Sequence, residues 1–208
     1  LHVLSLASEE NMMTGEVTNS ETRIELPQMT EKVKALYIDP RQQWLYVING
    51  RAQADVFSLR DKSLNGRYKL AEDATTEITA STQLVGGISL ILGDSTGSLS
   101  QWFMARDPDG EQRFKHIRSF KMGDSPIVEI TAEQRRKGFL ALDAAGDIGV
   151  FHSTAHRTLL VEKVAEGPGI MALSPRANRV IVEEGGKLLP LTLKNPHPEV
   201  SWSALWSK

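Results

Sequence analysis

Three short strings in the 208-residue chain could carry chemistry, and each needs a particular structural setting. Gly93-Asp94-Ser95-Thr96-Gly97 has the GxSxG spacing of a nucleophile elbow, which works when a strand-to-helix turn lifts the serine toward a histidine and an acid. No helix-forming stretch follows it, so a hairpin turn is the expectation. His152 and His156 are four apart, a spacing that joins two imidazoles on a helix face, yet they flank a turn-like Ser-Thr-Ala and lack a third ligand. Asp107-Pro108-Asp109-Gly110-Glu111 has the acid density of a calcium loop without the twelve-residue ligand spacing, and Pro, Asp and Gly suit a turn. No catalytic residue, cofactor site or metal ligand is therefore assigned. Cysteine is absent and GxxxxGK[ST] does not occur, which removes thiolate, disulfide and P-loop chemistry.

The remaining candidates are cationic. Arg113, Lys115, His116, Arg118 and Lys121 alternate with Phe114 and Phe120. On a regular strand Arg113, Lys115 and Lys121 would face one way and Phe114, Arg118 and Phe120 the other. This stretch is either a solvated edge strand, whose charges discourage pairing with another sheet, or a contact for an anion or a protein partner. Arg135-Arg136-Lys137 is a second basic cluster in a turn-like setting. The expected contact residues are thus Arg113, Lys115, Lys121, Arg135, Arg136 and Lys137.

Elements to hold these residues emerge from internal repeats. Val33 to Leu59, Ile78 to Phe103, Ile127 to Phe151 and Ile170 to Thr192 share one plan: a short apolar strand, a polar turn, a more continuous apolar strand, a turn with glycine, and a third strand that alternates. Taking Gly50, Gly97, Gly146 and Gly186 as anchors, the spacing is 47, 49 and 40 residues, close to the ~40 to 50 residues of a propeller blade. The second strands, Trp44 to Ile48, Ile88 to Leu92, Phe139 to Leu142 and Val180 to Val182, read as buried on both faces, with Trp44 and Trp102 as core. More polar fourth strands fit Arg67 to Leu70, Gln112 to Phe120 and Arg157 to Val161. Glu9 to Thr22 and Glu72 to Thr79 read as loops, and no stretch has convincing helical periodicity.

Val3-Leu4-Ser5-Leu6 resembles the third strand Val56-Phe57-Ser58-Leu59, with Thr22 to Leu26 as the fourth strand of the same blade. The expected architecture is all-β, a WD40-like β-propeller or partial propeller of about four to five blades, with residues 1–194 as the propeller-like domain, starting in mid-blade. Apolar residues at 40 %, charged residues at 24 % and a net charge of -2 suit a globular domain and argue against nucleic acid, whose binding domains carry a strongly basic patch. The apolar run Val85 to Leu92 is eight residues long, too short to cross a bilayer, and Leu1 to Glu10 lacks the basic start and apolar run of a secretory signal.

Asn195-Pro196-His197-Pro198-Glu199-Val200-Ser201-Trp202-Ser203-Ala204-Leu205-Trp206 resembles the junction between a periplasmic domain and the membrane-spanning core in long permease subunits of bacterial phosphate ABC transporters. His152-Ser153-Thr154 followed by Arg157-Thr158-Leu159-Leu160 is similar to the domain of the same family. Residues 195–208 would then lead toward the permease core, with Trp202 and Trp206 either folded back on the blades or placed where Trp is enriched at the bilayer surface.

What the resemblance implies is a non-catalytic periplasmic accessory domain of a phosphate-type ABC importer permease on the outer side of the bacterial inner membrane. Its role would be docking or regulation, its partners the other transporter subunits and the periplasmic phosphate-binding protein. The family's transport residues lie outside this chain. Two other classes compete: a propeller enzyme with a metal or hydrolytic site at the channel mouth, and a free-standing WD40-like interaction scaffold.

Overall fold

The computed structural model describes residues 2–27, 29 and 31–193. Five antiparallel sheets follow one another along the chain, and no helix occurs among the described residues. A hairpin of β1 (His2–Glu10) and β2 (Val17–Glu25) comes first. Blade one holds β3 (Val33–Ile38), β4 (Trp44–Asn49), β5 (Gln53–Ser58) and β6 (Ser63–Lys69). Blade two holds β7 (Ile78–Gln83), β8 (Leu90–Asp94), β9 (Ser98–Arg106) and β10 (Gln112–Lys121). Blade three holds β11 (Ile127–Ala132), β12 (Gly138–Asp143), β13 (Asp147–His152) and β14 (Arg157–Lys163). A three-stranded sheet follows, of β15 (Ile170–Leu173), β16 (Arg179–Glu184) and β17 (Lys187–Thr192).

The second strands are apolar throughout because alternate residues serve two interfaces. In β4, Leu45 and Val47 pack back onto Val3 and Ile24 of the first hairpin, while Tyr46 and Ile48 pack forward onto Leu90 and Leu92 of blade two. In β12, Phe139 and Ala141 face Ile91 and Phe120 of blade two, while Leu140 and Leu142 face Met171, Val180 and Val182 of the last sheet. Successive side chains on a strand point to opposite faces, so a strand between two neighbours has no polar side. β16 alternates instead: Val180 and Val182 are buried, while Ile181, on the open face, is 43 % exposed.

Third strands are more buried than their mixed sequences suggest. β13 is covered on both sides: Ile148 and Val150 pack with Val180 and Val182, and on the other face the Phe151 ring lies over Gly149, where a Cβ would collide with it. Fourth strands β6 and β14 are mostly exposed, as an outer edge requires.

Four sequence expectations are corrected. Glu9 to Thr22 is no loop: β1 and β2 extend into it, leaving only 11–16 as the turn, because an exposed two-stranded ribbon can pair through its backbone with no apolar alternation to reveal it. Ile88 belongs to the turn before β8 and is 58 % exposed. Gly50 is not the equivalent of Gly97 and Gly146. The left-handed position of its turn is Ala52, with φ of 50° against 80° and 88°. Finally, Phe114 and Phe120 lie on opposite faces of β10, because a bulge between His116 and Arg118 inserts Ile117 and shifts the register. Phe114 packs on Tyr46, Tyr68 and Trp102 toward blade one, and Phe120 on Phe139 and Phe151 toward blade three.

Candidate interaction face

With each blade running antiparallel from an inner first strand, the first-to-second and third-to-fourth turns open on one end of the blade stack. Second-to-third turns and the links between blades open on the other. The opposite end is built from a repeated device. Asn49, Asp94 and Asp143 each accept two backbone N–H groups through Oδ1, from Arg51 and Gln53, from Thr96 and Ser98, and from Ala145 and Asp147. Such Asx turns stabilise a tight reversal. The last residue of each fourth strand, Lys69, Lys121 or Lys163, sits beside an acid three residues on, at 3.9 Å from Glu72, 3.3 Å from Asp124 and 3.8 Å from Glu166. Lys121 and Lys163 also donate to the carbonyls of Thr96 and Ala145, at 2.7 and 2.8 Å.

Lys121 is therefore one copy of a blade-closing clasp. It sits roughly 25 Å along the strand from Arg113, and the bulge puts it on the other face. Arg113 and Lys115 do share a site. Both pair with the Asp107 carboxylate, Arg113 Nε at 2.8 Å, and Arg113 reaches Asp109 at 3.7 Å. Two acids of the Asp107–Glu111 turn are thus paired with cations of its own strand.

The first-to-second turns at the first end are joined in series. Gln83 Nε2 donates to the Ile38 carbonyl at 3.1 Å, and Gly87 lies where any Cβ would collide with Pro40. Lys137 Nζ donates to the Val85 carbonyl at 2.5 Å, and Arg136 Nη2 to the Arg176 carbonyl at 3.3 Å. Arg136 Nε also meets the buried Glu133 carboxylate at 2.7 Å. Of the predicted contact residues, Arg135, Arg136 and Lys137 come together here, and two of them are anchored. Arg135 forms no side-chain ion pair or hydrogen bond among the described residues, nor do Arg41 and Arg176, which sequence reasoning missed. A signal for both was present: Asp39-Pro40-Arg41 and Ser174-Pro175-Arg176 are the same turn in two repeats, each followed by a left-handed residue, Gln42 and Ala177.

Two hollows open on this end. One, of about 310 Å³, lies between blades one and two and is lined by Asp39, Arg41, Trp44, Tyr46, Ile88 and Met104. Trp44 lies half-buried on its wall, whereas Trp102 is core, as expected. Burial, followed by the nearby Asp39 charge, pushes the Tyr46 phenol well above its usual range. The other, of about 480 Å³, lies between blade three and the last sheet, lined by Glu133, Arg135, Arg136, Pro175, Arg176 and Ala177.

The strings with possible chemistry have local duties. Ser95 Oγ accepts the Glu77 N–H at 3.1 Å in a strand-to-strand turn. His152 Nδ1 accepts the Ala155 N–H at 3.1 Å, while His156 packs on Phe120 and bonds the Ser119 carbonyl at 2.8 Å. Among the described residues no group of three His, Asp or Glu is placed to hold a metal. The junction-like segment 195–206, with Trp202 and Trp206, lies outside the described residues.

No family model matches the chain. No curated protein matches it in sequence. Among solved structures it is similar to the β-propeller domain of Cps50 (Swd1) from Myceliophteria thermophila, with a TM-score of 0.66 and 10 % identity, over 84 % of this chain and 60 % of that one. The fold is a WD40-like β-propeller. The chain spans about 60 % of the length of the matched propeller, in keeping with three four-stranded blades flanked by a two-stranded and a three-stranded sheet. At this identity the likeness speaks for the fold alone, and propellers host many unrelated activities.

Proposed function

We propose that this propeller segment is a non-catalytic interaction domain that docks a protein partner on the end formed by its first-to-second turns, and that it serves as the periplasmic accessory domain of a phosphate-type ABC importer permease. The observation that carries the docking reading is the joined series of turns, which presents Arg41, Arg135 and Arg176 without side-chain partners among the described residues on a scaffold of buried strands. Fixed backbone beneath unpaired guanidiniums lowers the ordering cost of an encounter. The transporter assignment is supported by the resemblance of 195–206 to the permease junction, and the phosphate-binding protein and the other transporter subunits are its proposed partners.

Titrating the chain with the periplasmic phosphate-binding protein at low and moderate salt, with and without phosphate, tests this. Expected is a weak association that fades as salt rises. No association in any condition would leave a spacer domain. Capture of the chain by an unrelated soluble partner, with none by transporter subunits, would favour the free-standing scaffold.

A further inference from the structure

We infer that the cleft between blade three and the last sheet is a carboxylate-reading site, built to take neighbouring Asp or Glu side chains of an acidic segment on a protein partner. This deepens the docking reading above and rests on it.

Three guanidiniums converge on the cleft, and the fold treats them differently. Arg136 is held: its Nε meets Glu133, which is 3 % exposed, and its Nη2 meets the Arg176 carbonyl. Glu133 is itself packed against Gly138, where any Cβ would strike its carboxylate. Arg135 and Arg176 flank this fixed point from two short turns, both exposed and both without a partner among the described residues. The second turn is stiffened by Pro175 and by the buried, left-handed Ala177. Among the described residues of the lining Glu133 is the one acid, and Arg136 already answers it. The cleft therefore keeps surplus positive charge over an apolar floor of Pro175 and Ala177.

Guanidinium forks match carboxylates in two-point geometry, and the bonds are charge-assisted. A spacing of two free forks around an anchored one suits adjacent carboxylates on one peptide better than a single small anion. The clasp lysines differ, since Lys69, Lys121 and Lys163 are each beside their own acid.

The test uses the full chain and a fluorescently labelled hexaglutamate peptide, read by anisotropy at low ionic strength. The Arg135→Gln/Arg176→Gln variant removes the two free forks and leaves Arg136 in place. Arg23→Gln/Lys32→Gln removes the same charge away from the cleft. Binding of the parent, weakened about tenfold or more by the first variant and unchanged by the second, is expected. The inference is overturned by no binding, by equal weakening in both variants, or by inorganic phosphate displacing the peptide as readily as free glutamate peptide does. Peptide binding at the cleft alongside no association with the phosphate-binding protein would remove that protein as the occupant and leave the cleft standing.

Discussion

The Ser153 hydroxyl donates to Gln101 Oε1 across 3.0 Å, joining blade three to blade two at a point where the two residues are 2 % and 4 % exposed. Gln101 also accepts from Arg118 Nη1 at 3.3 Å and donates through Nε2 to Ser89 Oγ at 3.2 Å. A buried polar group left without its partner costs more than the bond itself is worth. Gln101→Ala should lower stability by about 2 kcal/mol and Ser153→Ala by about 1 kcal/mol. The double variant should cost less than the sum in urea unfolding, and strict additivity would show the two residues to be uncoupled.

Gly146 and Gly110 have nearly the same backbone, φ of 88° and 89°. Their surroundings differ. A Cβ on Gly146 would run into the Ala165 backbone, while one on Gly110 meets open space. Gly110→Ala should cost about 1 kcal/mol, the strain of a left-handed alanine alone. Gly146→Ala should cost at least twice as much, since the obstructing atoms are main chain. Equal shifts in melting temperature would refute the steric part of this account.

Much of the blade plan was legible because burial on both faces leaves unbroken apolar runs such as Leu45 to Ile48, and because the second-to-third turn of each four-stranded blade carries an Asn or Asp with a left-handed residue three positions on. The exposed ribbon of β1 and β2 left no such pattern, since its backbone pairing asks nothing of its side chains. In the candidate site, Arg135 to Lys137 were visible as a cluster, but Arg176 is 40 residues further on than Arg136 and reaches the cleft only because neighbouring blades stack their turns. Lys121 read as a surface cation because its clasp shows only when three fourth strands are compared.

The bulge in β10 makes a sharper forecast. Deleting Ile117 would close the bulge and leave Phe114 opposite Met104 and Phe120 opposite Leu99, each ring on its present face. Phe120 would keep Phe139 and Phe151, its ring neighbours at 5.4 and 5.5 Å. The deletion should therefore keep cooperative unfolding, read by near-ultraviolet circular dichroism, whereas one alanine inserted after Arg118 should abolish it by turning Phe120 to the wrong face. A well-folded insertion variant would show that the register of this half of the strand is not set by its buried ring.

Tyr46 predicts the alkaline behaviour. It is 2 % exposed, and its hydroxyl makes no hydrogen bond among the described residues. Its acidity is suppressed in the fold relative to the ordinary value of 10.0. Above that pH the unfolded chain loses the phenol proton while the folded chain keeps it, so unfolding becomes easier as pH rises. The stability is fully present below about pH 10 and drains away above it. Tyr46→Phe should match the parent at neutral pH and lose less melting temperature between about pH 9 and 11. Part of the loss should persist, because Tyr37 is raised by burial too.

The hydrogen bond from Arg136 to the Arg176 carbonyl crosses a joint between two sheets, and the inter-sheet bond from the Met171 N–H to Glu129 Oε2, at 2.6 Å, crosses the same one. An occupant of the cleft would grip both sides of that joint and act as a splint. Because a ligand confined to the native state stabilises whatever it holds together, occupancy would be felt as stiffness: amide exchange at Met171 would slow, and pulling the last sheet away would take more force, with no change in the shape of either blade.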